Sequence, residues 1–318
     1  MTTYTTSAPI SMQTNATFQA WVSEVISSLV THCGMTQTSD TGQINTSTVA
    51  LPTVSNTSAG YVILAFNDAL QTATPTAPNA TASVYIKLEF GTGNSTSNPQ
   101  MWITLGTGPT NNNGILTGVV SSRQQVMTDT TIPSQTQSLT SYYMYNSTLG
   151  IAGMVFKLNA FGTTNYANIS AGGFYIFRSN DSSGNPTGDC INMIVGNTNF
   201  TSYSPSMSCN SFISNLAYGG SEWSMLPLSA AGVQGYSSTY NGTTQVFPVF
   251  YQSPYYSISS FCAVGPIFDF PVGGTFTMTL IGSTSHTWLS AGMMFGTDRA
   301  AGTGSDAGNT NSFLMIWE

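Results

Sequence analysis

The stretch Val84-Tyr-Ile-Lys-Leu-Glu-Phe-Gly-Thr-Gly93, with its partner Gln100-Met-Trp-Ile-Thr-Leu-Gly-Thr-Gly108, decides the fold that we predict for this chain. In both runs apolar and polar residues alternate, which is the pattern of a β-strand with one buried face. Both runs end in Gly-Thr-Gly, and glycine permits the backbone angles of a turn. The two runs therefore predict a β-hairpin. Its tip, residues 91–100, carries no charge and is either a solvated loop or a contact surface.

Charge is sparse throughout the chain. Of its 318 residues 5% are charged, whereas about 25% is typical of globular proteins. Disordered chains combine low hydrophobicity with high net charge, but here 41% of residues are hydrophobic, 12% are aromatic and the net charge is −7. We therefore expect a folded protein with a neutral polar surface. Such a surface repels neighbouring molecules weakly, which favours a protein that functions within an assembly. The alternative is a secreted or halotolerant soluble protein.

Several classes of function are disfavoured. Nucleic-acid binding needs clustered cations, and the five basic residues are scattered. No basic amphipathic segment or long apolar run is present, so we expect no membrane insertion. The opening residues 1–7 have neither the basic nor the apolar region of a signal peptide. The basic residues are Lys87, Arg123, Lys157, Arg178 and Arg299.

Metal and disulfide chemistry are also not expected. The cysteines show no Cys-x-x-Cys spacing and there are only two histidines, so we predict no metal site and mostly free, buried thiols. A Cys190–Cys209 disulfide stays open, although the missing export signal argues against it. The residues concerned are Cys33, Cys190, Cys209, Cys262, His32 and His286.

No catalytic residues or cofactor are predicted. His286 lies among hydroxyl residues, but no G-x-S-x-G motif accompanies it, so we interpret it as a turn or packed histidine. Asp181 and Asp189 bracket a glycine-rich loop that lacks the EF-hand pattern, which favours a polar turn over a calcium site. The Gly-Thr-Gly pairs lack the Lys-Ser/Thr of a phosphate loop.

The segment 18–30 predicts the one amphipathic helix. Its apolar residues recur at helical spacing, with Asn15 or Thr17 as the N-cap and Gly34 as a left-handed residue beyond its C-terminus. The helix either packs on its own sheet or docks another subunit. The apolar stripe consists of Phe18, Trp21, Val22, Val25, Ile26, Leu29 and Val30.

We predict a mainly β fold, in which an N-terminal helix on a small sheet precedes a β-sandwich or barrel-like domain. The divisions are an extended arm at 1–13, a helix-plus-hairpin domain at 14–126, a linker or long loop at 127–140 and the sandwich at 141–318. Residues 35–59 are an ordered loop with one short edge strand. Strands are expected at 61–66, 115–120, 141–145, 150–158, 173–178, 191–195, 245–251, 256–264, 275–281, 288–294 and 313–317, the last one paired within a sheet.

Several phrases of the first half stand out: Phe18-Gln-Ala-Trp-Val-Ser-Glu24, Ser39-Asp-Thr-Gly-Gln-Ile-Asn45, the run 60–71, and the hairpin runs 85–93 and 98–108. They resemble a family of tailed-bacteriophage virion proteins, and the ending Ile316-Trp-Glu318 is similar too. The resemblance covers about residues 15–120. Families of this kind carry no catalytic signature, so the resemblance implies a structural protein and leaves its position in the virion open.

We therefore expect a non-enzymatic virion protein, assembled in the host cytoplasm in several copies in the tail or neck. Alternatives are a host-recognition or fibre protein that binds surface glycan through its tyrosines, and a capsid decoration protein. The expected partners are copies of the same chain and other virion proteins. Candidate interface residues are Phe18, Trp21, Val25, Asn94, Asn98, Trp102, Tyr143 and Tyr255.

Overall fold

A computed structural model describes residues 2–10, 14–70, 84–93, 95–108, 110–126, 137–158, 170–180, 186–199, 204–213, 247–253, 256–266, 273–278, 285–295 and 311–316. These residues form a mainly β structure with a single helix near the N-terminus and several antiparallel sheets. The predicted fold class is confirmed.

The helix α1 spans Asn15–Thr31. The strands are β1 Thr2–Ile10, β2 Thr36–Gln37, β3 Ser58–Phe66, β4 Val84–Thr92, β5 Pro99–Gly108, β6 Thr117–Val120, β7 Gln124–Gln125, β8 Gln137–Asn146, β9 Ile151–Leu158, β10 Ser170–Asn180, β11 Pro186–Asn199, β12 Ser204–Ile213, β13 Phe247–Ser253, β14 Tyr256–Pro266, β15 Thr275–Met278, β16 His286–Phe295 and β17 Asn311–Ile316.

The strands form three sheets. The first sheet has the order β2-β3-β4-β5-β6, with β7 also paired to β5. The second sheet has the order β1-β8-β9-β10-β11-β12, and the third has the order β13-β14-β17-β16-β15. Strands β14 and β16 of the third sheet lie against β10 to β12 of the second. This face-to-face packing of two antiparallel sheets gives the second half its sandwich-like character.

The predicted hairpin is confirmed, but its tip is shorter than expected. β4 and β5 pair in register from Tyr85 opposite Gly106 to Thr92 opposite Pro99, so both strands extend into the segment 91–100. A neighbouring segment also holds the end of the hairpin, because the Thr92 hydroxyl donates to the Val54 carbonyl at 2.8 Å. Much of the expected loop is therefore built into the sheet.

The glycines of the Gly-Thr-Gly pairs were expected to permit turns, and that expectation is wrong for Gly91 and Gly106. Both lie within strands. A Cβ at Gly91 would come within 2.0 Å of the Thr57 carbonyl oxygen, and one at Gly106 within 2.9 Å of the Leu116 Cβ. Glycine is required here because a neighbouring segment approaches closely, which is the other common reason for glycine in a strand.

The helix has the predicted buried stripe but a different N-cap. Thr14, rather than Asn15 or Thr17, caps the helix, and Thr17 completes a reciprocal capping box with it. Gly34 has a φ of 60° beyond the C-terminus, as predicted. The stripe packs on the inner face of the first sheet, where the Trp21 ring meets the Phe90 ring edge-on at 5.5 Å.

One hydrophobic core joins the helix, the first sheet and the second sheet. It includes Leu88 of β4 and Ile103 of β5 as well as Phe156 of β9 and Phe174 of β10. The segment 127–140, predicted as a linker, ends inside β8, which begins at Gln137. The two halves therefore share a core over the described residues.

All the predicted strands of the second half have a counterpart, and the last strand lies between β14 and β16 as expected. The sequence reading missed β12, and it assigned the residues of β1 to an extended arm. β1 is extended, but it pairs with β8 along its whole length. A short edge strand was expected within 35–59 because of Pro52, but residues 49–54 form no strand. The edge strand of this segment is β2, at its start.

Candidate interaction surface

The surface that we single out is the outer face of the first sheet, which points away from the core. The alternation that buries Val84, Ile86 and Leu88 turns their neighbours toward this face. The side chains there are half-buried: Tyr61, Tyr85, Lys87, Glu89, Trp102 and Thr104.

A row of side chains crosses this face at right angles to the strands. Tyr61 lies opposite Glu89, Glu89 opposite Trp102, and Trp102 opposite Gln125. Arg123 lies over the Trp102 ring, with its guanidinium carbon 3.9 Å from the ring centroid. We call Tyr61, Glu89, Trp102, Arg123 and Gln125 the Trp102 row.

The Arg123 guanidinium is oriented by two contacts with Glu89. Nε lies 2.9 Å from Oε2, and Nη2 donates to Oε1 at 3.1 Å. The Arg123 side chain is 43% exposed, so this pair is screened by water and contributes little stability. Its effect is geometric, because a bidentate pair holds the guanidinium plane over the ring.

The second cation of this face, Lys87, is held by neutral groups. Its Nζ lies 4.4 Å from the centroid of the Tyr61 ring and donates to the Gly114 carbonyl at 2.9 Å. The Tyr61 hydroxyl in turn donates to the Thr41 carbonyl at 2.7 Å. These contacts fasten two loops, around residues 38–45 and 110–116, onto the outer face.

Asp40 joins the same two loops. Its Oδ2 accepts from the hydroxyls of Thr38 at 2.6 Å and Thr110 at 2.5 Å, and its Oδ1 accepts from the Gly114 N–H at 3.1 Å. Burial by itself raises the pKa of Asp40, but these hydrogen bonds outweigh burial and hold the pKa below its ordinary value. We call Thr38, Asp40, Thr110 and Gly114 the Asp40 cluster.

The polar side chains of this face are paired with one another or with the neighbouring loops. No group of three or more His, Cys, Asp or Glu side chains that could hold a metal occurs among the described residues. The carboxylates of this face already bind partners of this chain, Glu89 to Arg123 and Asp40 to its cluster. What the face offers to a partner is aromatic area and oriented hydrogen-bonding groups, the features typical of binding hot spots.

Of the predicted interface residues, only Trp102 lies on this face and is half-exposed. Phe18, Trp21 and Val25 are buried in the core, so the apolar stripe of the helix covers this chain's own sheets. Tyr143 is fully buried, and Asn98 is buried at the end of the hairpin. Asn94 and Tyr255 lie outside the described residues.

The other sequence candidates are dispersed. His286 begins β16, opposite Met278, and Asp189 lies in β11, whereas Asp181 is outside the described residues. Cys33 is a free, buried thiol. In the register of β11 and β12, Cys190 lies opposite Ile213 and Cys209 opposite Ile194. Four residues of strand separate them, about 13 Å, which is too far for a disulfide.

Sequence reasoning missed Arg123, Tyr61 and Asp40 as members of one surface. Period-two alternation could have placed Lys87 and Glu89 on the face of Trp102. The phrase 39–45, which carries part of the virion-protein resemblance, contains Asp40. Nothing local in the sequence, however, connects that loop with Thr110 and Gly114.

Comparisons with protein-family models, with curated proteins and with solved structures found no match for this chain. Among the residues that the structure describes, no helix has the length and apolar character that a membrane span requires.

Proposed function

We propose that this chain is a non-enzymatic structural protein of a tailed-bacteriophage virion, present in several copies in the tail or neck. The observation that carries the proposal is the combination of a mainly β fold with a chain in which only 5% of the residues are charged. The virion-protein resemblance supports it, because the phrases that carry it contribute Asp40, Tyr61, Lys87 and Trp102 to one unit of the fold.

The Trp102 row is the proposed contact for a neighbouring subunit. Tryptophan, tyrosine and arginine are the residue types that most often dominate binding energy at interfaces. Here they are held in fixed orientations by the Glu89 pair and by cross-strand neighbours, so little side-chain entropy is lost on binding.

Apolar and neutral polar contacts must provide the driving force of such an assembly. With 5% charged residues, few ion pairs can form between copies. Buried apolar surface contributes about 25 cal/mol per Å² before the costs of association, and each neutral hydrogen bond adds about 0.5–1.5 kcal/mol. Because salt screens charges, raising it to about 1 M should weaken the assembly little.

The test has two parts. Locating the chain in a particle map distinguishes a tail or neck ring from head decoration or a receptor-binding fibre. Sedimentation in low and in about 1 M salt then tests the nature of the contacts. A monodisperse monomer that is absent from purified particles contradicts the proposal. If the assembly dissociates in salt, the proposal that the chain assembles stands, but our account of the contacts that hold the assembly together is wrong.

Trp102→Ala tests the surface itself. We expect it to weaken assembly by about 2 kcal/mol or more if the row is a hot spot. Thr104→Ala, on the same strand and the same face, is the matched control and should change assembly little. The melting temperature of the monomer, measured for both variants, separates loss of contact from loss of fold.

A further inference from the structure

Strand β1 is an edge strand of the second sheet. It pairs with β8 alone among the described strands, over a continuous register from Thr2 opposite Tyr145 to Ile10 opposite Gln137. None of its described side chains, Thr3 to Thr6, is fully buried. Over these four residues the strand is held by its ladder with β8 and by Tyr4, a partly buried side chain that packs against the core.

One side chain anchors β1. The Tyr4 ring stacks on the His32 ring at the end of the helix, with centroids 3.6 Å apart and planes 10° from parallel. It also lies 6.1 Å from the Tyr143 ring of β8. Tyr4 thus covers a position between α1 and β8, where the stacked aromatic pair adds to the stabilisation that comes from its burial.

The site beneath β1 is built by other parts of the chain. Tyr143 is fully buried and its hydroxyl donates to Glu24 Oε1 at 2.8 Å. The backbone N–H of His32 donates to the Ser28 carbonyl, which holds the His32 backbone at the end of α1. α1 and β8 therefore provide the side chains against which Tyr4 packs, and β8 provides the edge with which β1 pairs. Every copy of the chain has this same slot for β1 between α1 and β8.

We propose that β1 is exchanged between copies in the assembled state, so that β1 of one copy occupies the slot between α1 and β8 of its neighbour. An identical strand makes identical hydrogen bonds and the same Tyr4 stack in either location, which is why exchange of a strand is a low-cost route to association. β1 carries no charged residue, so like charges do not oppose the transfer. The inference rests on the proposed assembly of several copies and names the contact that links them.

Cysteine pairs across the β1–β8 ladder distinguish the two arrangements. Thr6 lies directly opposite Ser141, and both positions accept cysteine with little change in volume. Chains carrying only Thr6→Cys are mixed with chains carrying only Ser141→Cys, allowed to assemble, and oxidised. A disulfide that joins the two introduced cysteines of different chains, identified by peptide mapping, can form only if β1 is supplied by a neighbour. We expect such dimers on a non-reducing gel.

The controls fix the meaning of every outcome. The double variant Thr6→Cys/Ser141→Cys, diluted to monomer, should close within one chain and so verify the register; the pair Thr5→Cys/Tyr142→Cys is the second register test. Thr6→Cys chains mixed with Thr104→Cys chains should give only background dimer. Mixed assemblies without cross-linked dimers overturn strand exchange while assembly itself stands. Failure of both double variants to close overturns the register on which the inference depends. Absence of any assembly overturns the proposed function together with the exchange.

Discussion

Two carboxyl groups, Asp40 on the outer side of the first sheet and Glu24 at the junction of the helix with β8, have pKa values shifted in opposite directions. Asp40 is 7% exposed, yet three donors hold its pKa below the ordinary value. Burial raises the pKa of Glu24, and the hydrogen bonds from Tyr143 and Ser28 only partly offset that rise. Glu24 Oε2 is buried and has no hydrogen-bond partner among the described residues.

The difference shows what a chain with few cations can do with a buried acid. Burial disfavours the charged form, and hydrogen bonds to that form favour it. Loops can aim hydroxyl and N–H groups at both oxygens of a carboxylate, as they do around Asp40. A helix face meeting a sheet offers fewer free donors, because its backbone groups are already paired.

Removing one partner of the buried Arg178–Asp68 pair should have the largest effect. Arg178 Nε lies 2.9 Å from Asp68 Oδ2, and both side chains are fully buried. The pair links the segment after β3 to β10. Asp68→Ala leaves the charge of Arg178 buried without its carboxylate, so we expect a loss of about 3–5 kcal/mol, measured by denaturant unfolding.

The double variant Asp68→Leu/Arg178→Met is the control. Apolar residues of similar volume remove both charges together, which often costs little. We expect it to be more stable than Asp68→Ala. A double variant that is no more stable would show that Asp68 matters through its other contact, the N–H of Leu70 at 2.9 Å, or through packing.

Asp40→Ala should have the second largest effect. It leaves the hydroxyls of Thr38 and Thr110 and the N–H of Gly114 without their acceptor, so we expect a loss of about 1–3 kcal/mol of unfolding free energy. Thr41, which borders Asp40 and is exposed, offers a matched control as Thr41→Ser, because serine keeps the hydroxyl. Equal stability of Asp40→Ala and wild type would mean that water replaces the carboxylate in the cluster.

The sign of the pH dependence follows from the lowered pKa. The contribution of Asp40 is fully present above its unfolded value, near 3.8, and is lost as pH falls through the lower folded value. Wild type should therefore lose more stability than Asp40→Ala on acidification below about pH 3.8. Parallel acid-unfolding curves would contradict this account.

The surroundings of the two carboxyl groups also show which features of the structure could be predicted from the sequence. Period two in 84–105 and the helical period in 18–30 are local signals, and they predicted the hairpin, the helix and which faces they bury. The Asp40 cluster and the Asp68–Arg178 pair join residues separated by about 70 and 110 positions. No local pattern encodes such pairings, because they depend on how segments that are distant in the sequence come together in the fold.

The same limit explains the errors within the correct fold. Gly91 was interpreted from its own backbone freedom, whereas the deciding contact comes from Thr57 on another segment. The candidate interface residues were chosen for their chemistry, and chemistry alone does not distinguish the buried Tyr143 from the half-exposed Trp102. Alternation did distinguish inner from outer positions, and it is the signal that points to the Trp102 row.

Glu24→Gln tests the second carboxyl group of the comparison. We expect it to change stability less than Asp40→Ala does. Because burial raises the folded pKa of Glu24 above its ordinary value of 4.5, wild type loses stability as pH rises from there through the folded value. Glutamine keeps an acceptor for Tyr143 and carries no charge. We expect the variant to match wild type at acid pH and to be slightly more stable at neutral pH, measured by thermal unfolding at both. A less stable variant at neutral pH would show that the ionised carboxylate is favourable there.

Cys33, at the junction of α1 and β8, provides the last test, which measures reactivity rather than stability. Its thiol is fully buried, donates weakly to the Met144 carbonyl at 3.7 Å, and has a pKa raised by burial to about 12. Because the thiolate is the reactive form, alkylation of Cys33 in the folded protein should be slower than that of an exposed cysteine by about a thousandfold or more.

In denaturant without reductant, all four cysteines should react, because the register of β11 and β12 keeps Cys190 and Cys209 apart. Mass measurement and peptide mapping decide both points. Rapid labelling of Cys33 in the native state would mean that water reaches the junction of α1 and β8, and two or fewer modified thiols in denaturant would reveal a disulfide.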